Sequence, residues 1–265
     1  MPSLQIKPRL KIHYLEHNPQ GTPTVLLLHG LGATGGSWAF QFPALTDAGF
    51  HILAPDTRGF GQSTYPGGGV QVSDLAADLA YLLEALQTGP CHVVGISMGG
   101  TIALQLALEE PHRIKKLVLV NTFARLRPRT PSLWLYFTVR FILVHTLGLP
   151  AQARAVARRI FPLANQQAYR QELIQEICQA KPAGYRAAMR ALARFNVSHR
   201  LAEIRIPTLV VSGENDTTVP MSAQGELAQG ISGSRHVFIP RAGHAVIVDQ
   251  PERFNNTLLE FLQEV

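Results

Sequence analysis

A serine framed by glycines, Gly95-Ile96-Ser97-Met98-Gly99, directly follows the apolar run CHVVG and opens a stretch of helical pattern. Small residues two before and two after the serine permit a tight strand-to-helix turn, which lifts the hydroxyl above a sheet and sets it at a helix N-terminus. A serine hydroxyl is a weak nucleophile until a base removes its proton, and that base needs an acceptor to fix its tautomer and stabilise its cation. Asp216 closes Gly213-Glu214-Asn215-Asp216 beyond the apolar run TLVVSG, and His244 follows Gly243 soon after RHVFIP. Taken singly, Ser97 suits a helix cap, Asp216 an Asx turn ahead of Val219-Pro220, and His244 an ordinary loop. Together they form a nucleophile, an orienting acid and a general base in the chain order serine, acid, histidine, which is the set that acyl transfer requires.

The elements that must position them alternate regularly. Short runs rich in Val, Ile and Leu at 24–30, 51–56, 91–97, 116–122, 208–216 and 235–240 read as strands buried on both faces. Helical patterns lie between them, at 73–86 and from Met98 onward. The alternation predicts a mostly parallel sheet with helices on both faces, whose strand ends carry the site. Ahead of it, LKIHYLEHN reads as an exposed antiparallel strand. Between Asn121 and Ile206 the strands lapse, and four helical segments punctuated by Pro131, Pro150, Pro162 and Pro182 replace them.

Composition marks the same interval. The 265 residues are 46% hydrophobic and 16% charged, enough apolar surface for a compact core and too much for disorder. Between Ala124 and Arg200 there are 13 basic and 2 acidic residues, whereas the remainder holds 11 basic and 16 acidic, so the overall +6 comes from one segment. A charge confined in this way makes a basic helical face and gives no support for nucleic acid as a partner. The apolar run 133–149 is broken by Arg140 and His145 and is short for a membrane span, so no stable membrane insertion is expected. Cys91 and Cys178 are too few for a disulfide framework and read as small buried apolar residues. The N-terminal residues lack an apolar run with a cleavage site, which favours a cytoplasmic location.

Over essentially its full length the sequence resembles the α/β-hydrolase family. The resemblance rests on His29-Gly30-Leu31-Gly32 after the third strand, on Asp56-Thr57-Arg58-Gly59-Phe60-Gly61-Gln62-Ser63 after the fourth, and on the turn at Ser97. It extends to Pro111-His112-Arg113-Ile114, Gly213-Glu214-Asn215-Asp216, and Gly243-His244 followed by Pro251-Glu252-Arg253-Phe254. It implies a core of residues 1–121 and 207–265 with a helical cap, 122–206, inserted between the sixth and seventh strands. It also assigns Ser97 as nucleophile, His244 as general acid and base, Asp216 as its partner, and the backbone N–H groups of Leu31 and Met98 as an oxyanion hole. Asp56 and Arg58 are expected to brace their loop. Trp38, with Phe40 and Phe42, follows the oxyanion loop and is read as lining an acyl pocket, with aromatic core packing as the alternative.

A serine at the turn suits an acyl carbon, whereas family members that attack a saturated carbon use a carboxylate there. The turn is similar to that of enol-lactonases and haloperoxidase-like esterases. Carbon–carbon bond hydrolases carry a glycine-proline loop and an aromatic residue after the histidine, where this chain has Gly32-Ala33-Thr34 and Ala245. Perhydrolases carry a proline in the oxyanion loop, and Leu31 to Gly36 has none. The expected activity is hydrolysis of small to medium carboxylic esters, with a lactonase as the close alternative and a non-catalytic small-molecule-binding protein as the alternative of another class. No metal or organic cofactor is expected, His13 and His17 are read as solvated rather than as a metal pair, and the oligomeric state stays open.

Overall fold

A computed structural model of the chain describes residues 2–127 and 130–264. Pro128 and Arg129, both within the basic stretch, lie outside the described residues, as does Met1 of the N-terminal reading. Eight strands form one sheet: β1 (Ser3–Lys7), β2 (Leu10–His17), β3 (Thr24–Leu28), β4 (His51–Pro55), β5 (Cys91–Ile96), β6 (Ile114–Val120), β7 (Thr208–Gly213) and β8 (Arg235–Ile239). Their spatial order is β1-β2-β4-β3-β5-β6-β7-β8, with β2 antiparallel to both neighbours and the later pairs parallel. β1 is an edge strand that the sequence pattern does not announce, and none of its residues is fully buried. β2 is less exposed than its alternation suggests, because pairing on both sides brings Leu10, Ile12, His13 and Tyr14 into the interior.

Strand order reverses at β3, which pairs with β4 on one side and β5 on the other. Such a switch opens a crevice above the carboxyl ends of the two diverging strands. The loops at that crevice are the one after β3, which carries His29 to Gly32, and the turn after β5, which carries Ser97.

The helices are α1 (Phe42–Asp47), α2 (Val72–Ala85), α3 (Met98–Glu109), α4 (Pro131–Thr146), α5 (Gly148–Ile160), α6 (Gln167–Gln179), α7 (Pro182–Arg194), α8 (Met221–Gly230), α9 (Val246–Asp249) and α10 (Pro251–Gln263). Four of them, α4 to α7, fall between β6 and β7, where the charge and pattern break lies. Side-chain alternation along the strands makes two cores. Val25, Leu27, Ile52, Val94, Val118 and Val211 pack on one face with Trp38 and with Phe254 and Phe261 of α10. Leu26, Leu28, Leu53, Val93, Leu117 and Val210 face the other side, where they join Leu79 of α2 and Ile102 of α3. That second core runs on without a break into the inserted helices through Val144, Ala153, Ile177 and Tyr185.

Because among the described residues the inserted helices share the sheet's core and form none of their own, they should unfold with the sheet. Ile177→Ala removes a fully buried side chain and is expected to cost about 2–4 kcal/mol, lowering the midpoint of one transition in a denaturant titration followed by both circular dichroism and tryptophan fluorescence. An early separate transition that leaves the strand signal intact would show that the insertion is an independent folding unit.

Candidate active site

β5 ends at Ile96 and α3 begins at Met98, so Ser97 alone makes the turn, at φ 54° and ψ −114°. A residue with a side chain holds such a backbone only where its surroundings over-determine it. Ser97 N–H donates to the Val120 carbonyl at 2.9 Å, and its own carbonyl accepts from Thr122 Oγ1 at 2.6 Å. The flanking glycines are required by contact. A Cβ on Gly95 would lie 2.3 Å from the Gly99 carbonyl oxygen, and one on Gly99 would lie 2.1 Å from the Leu28 carbonyl oxygen. The glycines therefore let α3 start against β3 and β5 with no side chain between, which leaves the serine side chain facing the crevice.

Asp216 lies just past β7, and its side chain is fully buried. Its Oδ1 accepts from the backbone N–H groups of Thr218 at 2.7 Å and Val219 at 3.1 Å. Its Oδ2 accepts from Gln224 Nε2 at 3.3 Å and meets His244 Nδ1 at 2.9 Å. With Nδ1 donating to the carboxylate, the neutral imidazole keeps its lone pair on Nε2, the atom needed to take a proton. Ser97 and His244 line the same cavity. No hydrogen bond joins the two side chains, and base–nucleophile pairs of this kind commonly tighten only around a bound substrate.

The loop bearing His244 is held from two sides. Asn121, at the end of β6, is fully buried, donates Nδ2 to the carbonyls of Gly243 (3.0 Å) and His244 (2.8 Å), and accepts the Gly213 N–H on Oδ1 at 2.8 Å. Asp249 accepts the Gly243 N–H at 2.8 Å and, on its other oxygen, Gln166 Nε2 at 2.8 Å. Across the crevice, the backbone N–H groups of Leu31 and Met98 meet no protein acceptor among the described residues. Leu31 lines the cavity, while the Met98 side chain is buried and its N–H stands at the first position of α3. A Cβ on Gly30 would lie 3.7 Å from the Ser97 Cβ, so the loop after β3 runs close beside the serine. Two free donors near a serine hydroxyl are what a tetrahedral oxyanion needs.

The cavity measures about 190 Å³. Its walls are mostly apolar and come from both parts of the chain: Leu31 and Phe40 from the sheet side, Phe137 of α4, Val156 of α5, Leu173 of α6 and Leu192 of α7. Glu176 of α6 also faces it and accepts a hydrogen bond from Thr34 Oγ1 at 2.7 Å, a direct tie between the insertion and the loop after β3. Burial pushes the Glu176 carboxyl up to about 7, opposed by the Thr34 bond and reinforced by the negative charges of Glu172 and Asp56.

The family model for the alpha/beta hydrolase fold matches residues 23–251. The chain belongs to this family. A relative from Variovorax paradoxus (strain S110), named "Putative carbamate hydrolase RutD", is 35% identical over 262 residues, 97% of each chain. Among solved structures, the enol-lactonase from Burkholderia xenovorans LB400 superposes with a TM-score of 0.91 at 29% identity, covering 99% of this chain and 100% of that one. A thermophilic esterase from Thermogutta terrifontis, with malate bound, has a TM-score of 0.84 at 30% identity, covering 96% of this chain and 93% of that one.

In this α/β hydrolase the structure brings Ser97, His244 and Leu31 to one cavity and sets Asp216 behind the histidine. It does not bring Trp38 there. That side chain is fully buried in the core between the sheet and α10, against Phe254 with ring centroids 6.2 Å apart, and Phe40 is the aromatic that reaches the cavity. The short helical turn 35–38 rotates Trp38 inward and Phe40 outward, which spacing alone does not fix. His13 is not solvated: it is buried and meets Asp56 Oδ2 at 2.8 Å. Asp56 also accepts the N–H groups of Gly35 and Gln62, and Arg58 pairs with Asp78 of α2, so both brace their loops. Cys91 is buried, and burial pushes its thiol up to about 12, whereas Cys178 is exposed on α6 because its neighbour Ile177 takes the inward position. Among the described residues no group of three or more His, Cys, Asp or Glu is placed to hold a metal ion, and no helix is long and apolar enough to cross a membrane.

The raised Glu176 has a stability consequence. Its ordinary value is 4.5, so between pH 4.5 and 7 the native state binds the proton more strongly than the unfolded chain, and this contribution is lost as pH rises through that window. Glu176→Gln keeps the acceptor for Thr34 and removes the titration. The variant should gain roughly 2–3 kcal/mol over the parent between pH 5 and pH 8 in urea titrations. A difference that does not change with pH would contradict the shift.

Proposed function

We propose that this α/β hydrolase is a serine hydrolase that acts on the acyl carbon of small to medium carboxylic esters through an acyl-enzyme. The observation that carries the reading is the His244–Asp216 bond, its carboxylate buried, beside a serine held in a strained backbone on the same cavity. In this scheme His244 Nε2 takes the Ser97 proton as Oγ attacks the carbonyl, and the resulting imidazolium is stabilised by Asp216. The oxyanion accepts from the N–H groups of Leu31 and Met98. The imidazolium then protonates the leaving alcohol, and a water deprotonated by the same histidine releases the acid and frees the serine. Each step uses groups of this chain and none calls on a metal or cofactor. Helices α4 to α7, within residues 122–206, act as the cap that shapes the acyl site.

Two neighbouring reactions use the same machinery. The enol-lactonase likeness over nearly the whole chain supports a cyclic ester as substrate, and the relatives named for carbamate hydrolysis support a carbonyl with nitrogen on its other side. All three present an sp² acyl carbon to the same hydroxyl. Rates over linear esters of increasing acyl length, lactones and carbamates separate them, with Ser97→Ala as the blank. Ser97→Ala is expected to lose about 10⁴-fold or more in kcat, and Asp216→Asn to lose about 10³–10⁴-fold by presenting the wrong tautomer. Retained turnover in pure, folded Ser97→Ala protein would contradict the nucleophile. A wild-type protein that binds esters without cleaving them would make it a binding protein.

A further inference from the structure

Arg140 lies in the middle of α4, which is otherwise the most exposed of the inserted helices, yet only 8% of the residue's surface is accessible. It lines the cavity that holds Ser97 and His244. Arginine is almost never buried this far without an acidic partner, because desolvating the guanidinium is costly. Among the described residues Arg140 has no ion pair. Its partners are all neutral. Nη2 donates to Tyr185 Oη at 3.3 Å, and Nη1 reaches Tyr136 Oη at 3.5 Å. With the Gln152 amide turned to satisfy both of its ends, Gln152 Oε1 accepts from Nε at 2.9 Å and from Nη2 at 3.1 Å.

A guanidinium has five N–H donors in a rigid fork. Four are used in this arrangement, and the fifth is on Nη1, whose one contact is the long bond to Tyr136, itself a cavity-lining residue. The scaffold thus holds a full positive charge in place with neutral acceptors and leaves its counter-charge to come from the cavity. We propose that Arg140 is the anion-binding subsite of the active site, so that the preferred substrate is an ester, lactone or carbamate that also carries a carboxylate. The subsite rests on the serine-hydrolase reading and specifies its substrate class.

Two carboxyl groups share the cavity and would oppose an anion. Glu172 is exposed at the rim, where water screens it. Glu176 carries only part of its charge at neutral pH, because burial holds its carboxyl near 7. The surplus of buried charge in the cavity at neutral pH is therefore positive.

The test compares monoethyl succinate with ethyl levulinate, in which a methyl ketone replaces the carboxylate at the same chain length. Monoethyl malonate, glutarate and adipate then scan the distance from ester carbon to carboxylate. The quantity read is the ratio of kcat/KM for the anionic ester over that for the neutral one. In wild type it should exceed one at the best chain length. In Arg140→Met it should fall roughly 10–100-fold, the scale of a hydrogen bond between charged groups, and Arg140→Lys should restore part of it. A purely structural arginine would lower both rates together, and an unmoved ratio overturns the proposal. Should Arg140→Met fail to fold, wild-type hydrolysis of ethyl levulinate gives the answer. Succinate should inhibit it competitively, and sodium chloride at matched ionic strength should not; equal effects would overturn the subsite. If wild type cleaves no ester, the hydrolase reading fails by itself, and calorimetry of succinate binding to wild type and Arg140→Lys still decides the subsite: binding weakened by the lysine supports it, and binding that is absent or unchanged refutes it.

Discussion

Ser97 stands where two pieces of backbone come closer than any side chain would allow. Gly99 puts the start of α3 against the Leu28 carbonyl of β3, and Gly95 puts the end of β5 against the Gly99 carbonyl. That closeness forces the whole change from strand to helix onto one residue and so forces Ser97 to φ 54°. The strain is stable because Val120, Thr122 and Thr101 bind its backbone from three directions. The hydroxyl is driven up into the crevice made by the strand-order reversal, and among the described residues neither the Met98 N–H at the helix start nor the Leu31 N–H in the loop beside it meets a protein acceptor.

The other half of the site is built on a buried charge. Asp216 is removed from water and compensated by four donors, so its charge is fixed in place and His244 inherits its orientation. The network continues inward. Gln224 must point its Nε2 at Asp216, which leaves Oε1 to accept from Ser212 Oγ at 2.5 Å, and Ser212 then accepts from His236 Nε2 at 2.7 Å. A chain of fully committed donors and acceptors of this kind has few alternative arrangements. It ties the acid to α8 and β8, much as Asn121 ties the histidine loop to β6 and β7.

The parts of this arrangement that a sequence reveals are those that depend on period and on local backbone. The doubly apolar runs announce β3 to β7, and the glycine spacing around Ser97 announces the turn, because each is dictated by residues that are neighbours in the chain; RHVFIP announces the strand β8 but not its place at the sheet edge, where Arg235 and Phe238 are exposed and only Ile239 is buried. Asn121 and Gln224 go unnoticed for the opposite reason. Their side chains reach across 122 and 8 positions respectively, and nothing near them in sequence distinguishes them from a loop asparagine and a helical glutamine. Trp38 and Phe40 show the limit in another form: an aromatic pair two apart faces core and cavity in an order set by a single short helical turn. Composition locates the basic insertion. It does not single out Arg140, because most of the other arginines there are exposed or half-buried, as a solvated helical face would have them.

The proposed chemistry requires Ser97 to be a nucleophile that its surroundings activate, and not merely a residue the turn requires. Labelling with a fluorescent phosphonate ester, followed by peptide mapping, reads that property directly, because the reagent needs an ionisable serine, a working base and an oxyanion hole together. The predicted result is a single adduct on Ser97, absent from Ser97→Ala and strongly slowed in His244→Ala. Folded wild-type protein that takes no label, or that takes it at another residue, would contradict an activated Ser97.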